Sequence, residues 1–482
     1  MIGNKLQTSY KNHPITRFLK YPAILILAAL SLPNVVMAQE NTTESENVLP
    51  DFVSRDRKLS EDALKKKREG VFFTGLPSVS SDPLNGFGIG GAGYIFFNGE
   101  RNNPLFAYTP YFLRAGLNLK YSTGNSQEIR LKLDAPYVLN SAWRLKLDGV
   151  YSNSPNNVYF GLTEQTLKAL PQGSFDAYSK SLSTIRPGVN GEAAQVADVL
   201  KNKFAEREWM VNLKGERSMF DGNWRLIMGY ELQHLSYKTF ENEPVTAVDP
   251  STGKTRTVSN GKSLLQQDAQ NNQIFGLNGG LLSIVQAGLI YDTRDFEPDP
   301  SKGIVAEFSD EVSAPVIGSA FLFNKVLMQF KHYQQILPEI FPKTVLATRV
   351  GYGTIMGDQA PFFEYQDQWS PDGSIVALGG SQTLRGYKQN RFLGRTVAYA
   401  NVELRHKLGE LNLIGQNFSF GVVPFVDLGT IGDKIFQVNI LETKVATGVG
   451  LRIGWNLSTI LTLDFAISPE DKQFFLNFNN SF

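Results

Sequence analysis

The sequence has no cysteine, and its 482 residues include only four histidines. Disulfide staples, thiolate metal sites and cysteine nucleophiles are excluded together, and His13, His234, His332 and His406 are too scattered to suggest a metal cluster. An excess of one charge is also lacking. With 47 Lys and Arg against 46 Asp and Glu, nothing in the balance attracts a nucleic-acid backbone. Past residue 38, no stretch approaches the ~18 consecutive apolar residues that a membrane-crossing helix needs. Catalytic signatures are absent too: there is no G-x-S-x-G and no H-E-x-x-H, and Gly253-Lys254-Thr255 lacks the upstream glycine of a phosphate-binding loop. Gly86-Phe87-Gly88-Ile89-Gly90-Gly91 has the letters of a dinucleotide fingerprint. Its glycines, however, run on into Tyr94-Ile95-Phe96-Phe97 as one strand instead of opening a helix, so no pyrophosphate is expected there. The residues point to no enzyme, no cofactor and no metal.

What is present begins with an address. Lys5, Lys11, Arg17 and Lys20 stand without any acid, an uncharged apolar run covers 23–32, and Val36-Met37-Ala38 offers the small residues a signal peptidase reads. Residues 1–38 are expected to be a secretory signal peptide, since ten apolar residues reach only about half of a ~30 Å hydrocarbon core. Without them, 43 basic side chains face 46 acidic ones. Residues 39–70 are expected to be a short periplasmic tail, with one helix capped by Ser60, running over 61–69 and stopped by Gly70. Lys65-Lys66-Lys67-Arg68 is expected to be the solvated end of that helix, with contact to anionic lipid as the alternative.

From residue 71 onward the pattern is period two. Trp143, Leu145, Leu147 and Tyr151 face one way and Arg144, Lys146 and Asp148 the other; Leu461, Leu463, Phe465 and Ile467 alternate with Thr462, Asp464 and Ala466. A soluble sandwich and a membrane barrel both bury one strand face. The barrel is favoured by strands often of 12 or more residues, by charged residues in succession on the polar face, and by aromatics near strand ends such as Tyr111, Trp143, Trp224 and Trp455. Sixteen candidate strands run from 71–80 to 472–482, predicting an all-β transmembrane antiparallel barrel over residues 71–482. The long connections 155–205, 241–280 and 357–395 all follow odd-numbered strands, while 139–141, 220–222 and 457–458 follow even ones, as expected for long outer loops and short periplasmic turns. The Phe474/Leu476/Phe478 alternation ending at Phe482 is expected to act as a barrel-assembly signal.

Gly379-Gly380-Ser381-Gln382-Thr383-Leu384-Arg385-Gly386-Tyr387, followed by Asn390-Arg391-Phe392 and Asn401-Val402-Glu403-Leu404-Arg405, resembles the outer-membrane protein assembly factor superfamily of BamA, TamA and the two-partner secretion transporters. Asp292-Thr293-Arg294-Asp295 is similar to that family's turn after strand eight. The resemblance implies a Gram-negative outer-membrane barrel, embedded in outer-membrane lipid, that assists insertion or translocation of other proteins with periplasmic or surface protein partners. It further implies a long loop folded inside, its tip shaped by Gly379, Gly380, Leu384, Gly386 and Tyr387. There Arg385 would be latched to Glu403 and Asp427, which alternation places on the polar face, and a guanidinium can bind such carboxylates bidentately. Residues 39–70 are too short for a POTRA domain, so delivery would need a separate partner. The alternatives are a plugged pore or channel and a structural barrel for surface interactions.

Overall fold

The computed structural model describes residues 49–82, 85–168, 183–341, 343–372, 375–456, 459–478 and 480–482; the expected signal peptide lies outside the described residues. Sixteen strands form one antiparallel sheet in sequence order. They are β1 (Val71–Asp82), β2 (Gly86–Phe97), β3 (Leu113–Ser122), β4 (Gln127–Ala135), β5 (Trp143–Val158), β6 (Lys203–Met219), β7 (Trp224–Lys238) and β8 (Gly280–Asp292). They continue as β9 (Gly303–Ser313), β10 (Phe323–Gln335), β11 (Thr344–Met356), β12 (Thr396–Leu413), β13 (Gln416–Gly432), β14 (Lys444–Trp455), β15 (Thr459–Ile467) and β16 (Lys472–Phe478). Each predicted strand has its counterpart, because alternation over so long a span survives any local propensity. The last strand is shorter than the expected 472–482. Among the described residues, no helix is long and apolar enough to cross a membrane.

The faces of this sheet are inverted relative to a soluble protein. Leu131, Leu145, Val211, Leu213, Phe330, Val350 and Leu451 are exposed, whereas Lys214, Glu216, Glu307, Lys331, Arg349, Glu403 and Asp427 are buried. A sandwich would bury the first set and solvate the second. The exposed apolar face therefore suits hydrocarbon, and the charged face is an interior.

Connections after odd strands include the three long ones and define the loop end of the sheet; those after even strands define the turn end. At the loop end, residues 159–202 and 239–279 contribute Arg186–Pro187, Gln195–Ala197, Pro244–Val248 and Thr255–Asn260 to a separate four-stranded sheet around Ala197 and Ala247. Helix α2 (Leu264–Gln270) has a full capping box between Ser263 and Gln266. Its Leu265 packs with Tyr159, Phe204, Phe362 and Phe363 into an aromatic dome.

At the turn end, residues 49–70 are held against the sheet. Helix α1 (Glu61–Lys66) starts at Ser60 as expected, with the Ser60 hydroxyl accepting from Ala63 N, but it ends three residues early. Lys67 is pulled out of the helix and buried. Its ammonium donates to the carbonyls of Phe106 (2.6 Å) and Thr109 (2.7 Å), 3.9 Å from the Phe106 ring centroid. Burial first, and repulsion from Arg101 second, bring its pKa down to about 7. The basic run is thus divided: Lys65 is solvated, Lys66 pairs with Glu410 (2.5 Å) and Arg68 donates to Gly415 O (3.3 Å). Upstream, Val53 is buried with Leu105 and Tyr137, and a β-carbon on Gly222 would strike the backbone of Phe52 and Ser54.

Candidate functional site

The connection between β11 and β12, residues 357–395, runs along the interior face instead of outward. Phe362 and Phe363 begin it within the dome. Trp369 then lies against Gly288 of β8, where a side chain would meet Trp369 and Pro371, and the Trp369 carbonyl accepts from the Ser309 hydroxyl at 2.9 Å. Asp372 is the deepest anchor, pairing with Lys331 (2.8 Å) and Arg294 (3.3 Å). The chain returns through the short ladder of Asp367–Gln368 with Ile375–Val376 and turns at the predicted tip.

That tip needs its glycines. Gly379, Gly380 and Gly386 have φ of +108°, +86° and +92°, and a β-carbon on Gly386 would lie 3.0 Å from the Ile467 backbone and 3.2 Å from the Ala446 side chain, tighter than ordinary van der Waals contact. Leu384 and Tyr387 are buried with Leu378, Phe392, Val397 and Ile431, which seats the tip by apolar contact before any charge is considered. The Gly380 amide donates to Tyr387 O (3.0 Å), closing the turn, and the Ser468 hydroxyl donates to Gly386 O (2.7 Å).

Arg385, 1% exposed, projects from this tip into three carboxylates. Its Nε and Nη2 grip Asp427 at 2.8 and 2.9 Å, the bidentate arrangement, and its backbone amide adds a third bond to Asp427 at 3.0 Å. Nη1 reaches Glu403 Oε1 (2.8 Å) and Asp464 Oδ2 (3.0 Å). The guanidinium plane lies 3.4 Å from the Phe425 ring centroid. Arg385 is thus in contact with Glu403 on β12 and Asp427 on β13, the two carboxylates that alternation placed on the polar face, and with Asp464 on β15 in addition. Its place opposite Leu463 and Phe465 was a readable signal. Alternation gives the face, however, and not the height along the barrel axis.

Around this centre stand further residues for which the sequence predicted no contact. Arg452 bonds Asp464 (2.5 Å), Arg405 bonds Glu403 (2.9 Å), and Asn401 donates to Asp427 (2.7 Å) and to Thr383 O (2.7 Å). Arg349 donates to Asn401 Oδ1 (2.7 Å) and to the Gln382 and Ser481 carbonyls. Four guanidiniums thus face three carboxylates, with Arg349 served by neutral acceptors. The expected last strand does not reach Phe482. That residue lies beyond β16 and inside, its carbonyl oxygen accepting from Arg405 (2.7 Å) and its ring 4.8 and 5.1 Å from the Arg349 and Arg405 guanidiniums, packed with Tyr333 and Val345. Guanidinium faces and an apolar pocket together hold the ring better than a strand end open to solvent.

The turn motif forms a second ionic centre at the turn end. Asp292 pairs with Arg294 (2.9 Å), Arg225 (2.8 Å) and Arg57 (3.3 Å), the last from the N-terminal segment. Asp295 closes the turn by accepting from the Ser301 amide (2.9 Å) and hydroxyl (2.5 Å). Asp372 on the long loop bonds Arg294, so Arg57, Asp292, Arg294 and Asp372 form one chain of ion pairs from residues 49–70 to the loop. No group of His, Asp and Glu among the described residues is arranged to hold a metal ion. The site binds chain to chain, and its chemistry is positional.

Comparison with known proteins finds a match to the Omp85 superfamily domain over residues 113–482 and to a domain of unknown function (DUF5982) over residues 49–112. The outer membrane protein assembly factor BamA of Nitratidesulfovibrio vulgaris is 24% identical over 188 residues, covering 36% of this chain; the chain spans about a fifth (21%) of that relative's length. Among solved structures, BamA from Haemophilus ducreyi lacking POTRA domains 1–3 covers 86% of this chain and 69% of its own at 14% identity, with a TM-score of 0.45. CdiB from Escherichia coli covers 85% of this chain and 61% of its own at 10% identity, with a TM-score of 0.44.

Proposed function

Since the chain belongs to the Omp85 superfamily, the β-barrel proteins of the Gram-negative outer membrane, we propose that its sixteen strands close into a barrel that assists insertion or translocation of other proteins. The turn end faces the periplasm, where separate protein partners deliver substrate. One observation carries this reading. Among the described residues, β1 and β16 are the two ends of the hydrogen-bonded order, yet their neighbourhoods meet through side chains: Thr74 and Thr459 hydroxyls are 3.1 Å apart, and the Tyr94 and Phe478 rings 5.6 Å. A seam closed by side chains instead of a ladder can open without breaking a row of backbone hydrogen bonds, and an open edge can template an incoming strand. The Arg385 latch keeps the loop seated on β12, β13 and β15, so the wall beside the seam holds its shape while the seam moves.

Depletion followed by quantitative outer-membrane proteomics tests the activity. Loss of other barrels or exported proteins without general envelope collapse supports it, and an unchanged proteome refutes it in favour of a plugged pore. The pore alternative predicts steady bilayer conductance once residues 379–391 are deleted. The small loop-end sheet built by residues 186–197 and 244–260 supports a surface-interaction role beside the first; trimming it should then release a co-purifying surface partner.

A further inference from the structure

At the turn end, several left-handed backbone positions fall on exposed apolar side chains. Leu139 (φ 54°), Phe220 (φ 48°) and Ile414 (φ 50°) each precede a second left-handed residue, Asn140, Asp221 and Gly415. Such positions favour Gly, Asn or Asp, and a β-branched residue such as Ile414 is strained there. These three side chains are also 96%, 75% and 91% exposed, so both the backbone and the water are unfavourable to them. At the loop end, the left-handed non-glycine positions are Asn125, Asn190, Asn242, Asn272 and Asn390, with Phe436 the exception. The remaining left-handed non-glycine positions at the turn end are Tyr137, Asn140, Asp221, Leu337 and Asn456, so the ordinary solution is available there too and is not used at these three tips.

The three tips share a second regularity. Each stands four residues before an aromatic on its own hairpin: Leu139 before Trp143, Phe220 before Trp224 and Ile414 before Phe418. Trp143 and Trp224 are exposed on the apolar face, and Phe418 stacks on Trp455 at 5.8 Å. Aromatics of that kind mark the boundary between hydrocarbon and headgroups. About three residues of tilted strand descend roughly 7 Å, and the headgroup layer beyond that boundary is roughly 5–8 Å deep. The tips are thus continuous with the lipid-facing wall and end within the headgroup layer. They belong to three connections spread along the sheet, between β4 and β5, β6 and β7, and β12 and β13, which suits an annulus of lipid better than one compact protein face.

We propose that Leu139, Phe220 and Ile414 form a ring of anchors that seats the turn end in the phospholipid of the periplasmic leaflet. The proposal rests on the reading that the sheet spans the membrane with its turn end in the periplasm. The absence of native cysteine makes the test direct. Leu139→Cys, Phe220→Cys and Ile414→Cys carry a small fluorophore in vesicles of phosphatidylethanolamine and phosphatidylglycerol, with Asn125→Cys as the water control and Val402→Cys as the mid-wall control. The expected result is quenching of the three tips by nitroxide placed near the lipid headgroup, about twofold or more above that at Asn125→Cys, with little quenching by aqueous iodide. Iodide access at the tips while Val402→Cys remains lipid-quenched overturns the anchor ring and leaves the spanning reading intact. Loss of lipid quenching at Val402→Cys overturns both. Tips open to iodide in vesicles but shielded in native outer membrane would assign the ring to a periplasmic protein and also overturn the proposal. As a second measurement, the triple change Leu139→Asn, Phe220→Asn and Ile414→Asn should leave unfolding in detergent no easier while slowing insertion into the same vesicles; unchanged insertion counts against the ring.

Discussion

Replacing Arg385 with methionine, which keeps the length of the side chain and removes its charge, should affect the three carboxylates unequally. Glu403 keeps Arg405 at 2.9 Å and Arg452 at 3.6 Å, and Asp464 keeps Arg452 at 2.5 Å. Asp427 loses both arms of its bidentate partner. Among the described residues it retains only neutral donors, Asn401 at 2.7 Å and the residue-385 amide at 3.0 Å, at a fully buried site. Stranding one buried charge costs about 3–5 kcal/mol, roughly a thousandfold in the seated population of the loop. If Asp427 is the stranded charge, Asp427→Asn in the Arg385→Met background should recover about 2–3 kcal/mol, although it is damaging on its own. Seating is read by trypsin cleavage at Lys388, Arg391 and Arg395, and the free energy by denaturant unfolding in detergent. Additive effects of the two changes would refute the reasoning, as would rescue by Glu403→Gln equal to that by Asp427→Asn.

Four further outcomes follow from the same contacts. Arg385→Glu, placing a fourth acid among three, should unseat the loop more completely than Arg385→Met and abolish whatever assembly activity the depletion experiment reveals; normal function of that variant would sink the latch. Gly386→Ala should lower stability by about 1–3 kcal/mol, because φ of +92° and contact with Ala446 and Ile467 oppose a β-carbon, and should increase tryptic nicking of the loop. Arg57→Ala should cost under about 1 kcal/mol, since Asp292 retains Arg225 and Arg294 and Arg57 is partly solvated; a larger loss of denaturant stability would show that the N-terminal segment bears on the loop through the ion-pair chain. The Lys67 ammonium is disfavoured when docked, so the undocked segment binds more protons between pH 7 and the ordinary lysine range, and docking strengthens as pH rises. From pH 6 to pH 8 the gain is about 1 kcal/mol, to be followed by a fluorophore on Asp62→Cys and absent in Lys67→Met.

Alternation alone determined that this chain makes sixteen strands with one apolar and one charged face, because the side-chain period of a strand does not depend on what the strand meets. It also placed Glu403, Asp427 and Asp464 on the same face, and the glycine-rich tip with Arg385 stood out as a constellation. Register was not legible. Asn401 opposes Asp427 directly, so Glu403 lies diagonal to it, and only the ladder between β12 and β13 brings both within reach of one guanidinium. The descent of Asp372 to Arg294 and Lys331, the burial of Lys67 outside its helix and the inward turn of Phe482 were equally hidden. Each is decided by a partner more than 30 residues away, where a free cation, an open carbonyl or an apolar pocket outweighs local preference. The sequence by itself therefore settled which face each residue takes. The tertiary structure decided which charges meet, because desolvation makes an interior ion pair favourable only at the few positions where geometry completes it.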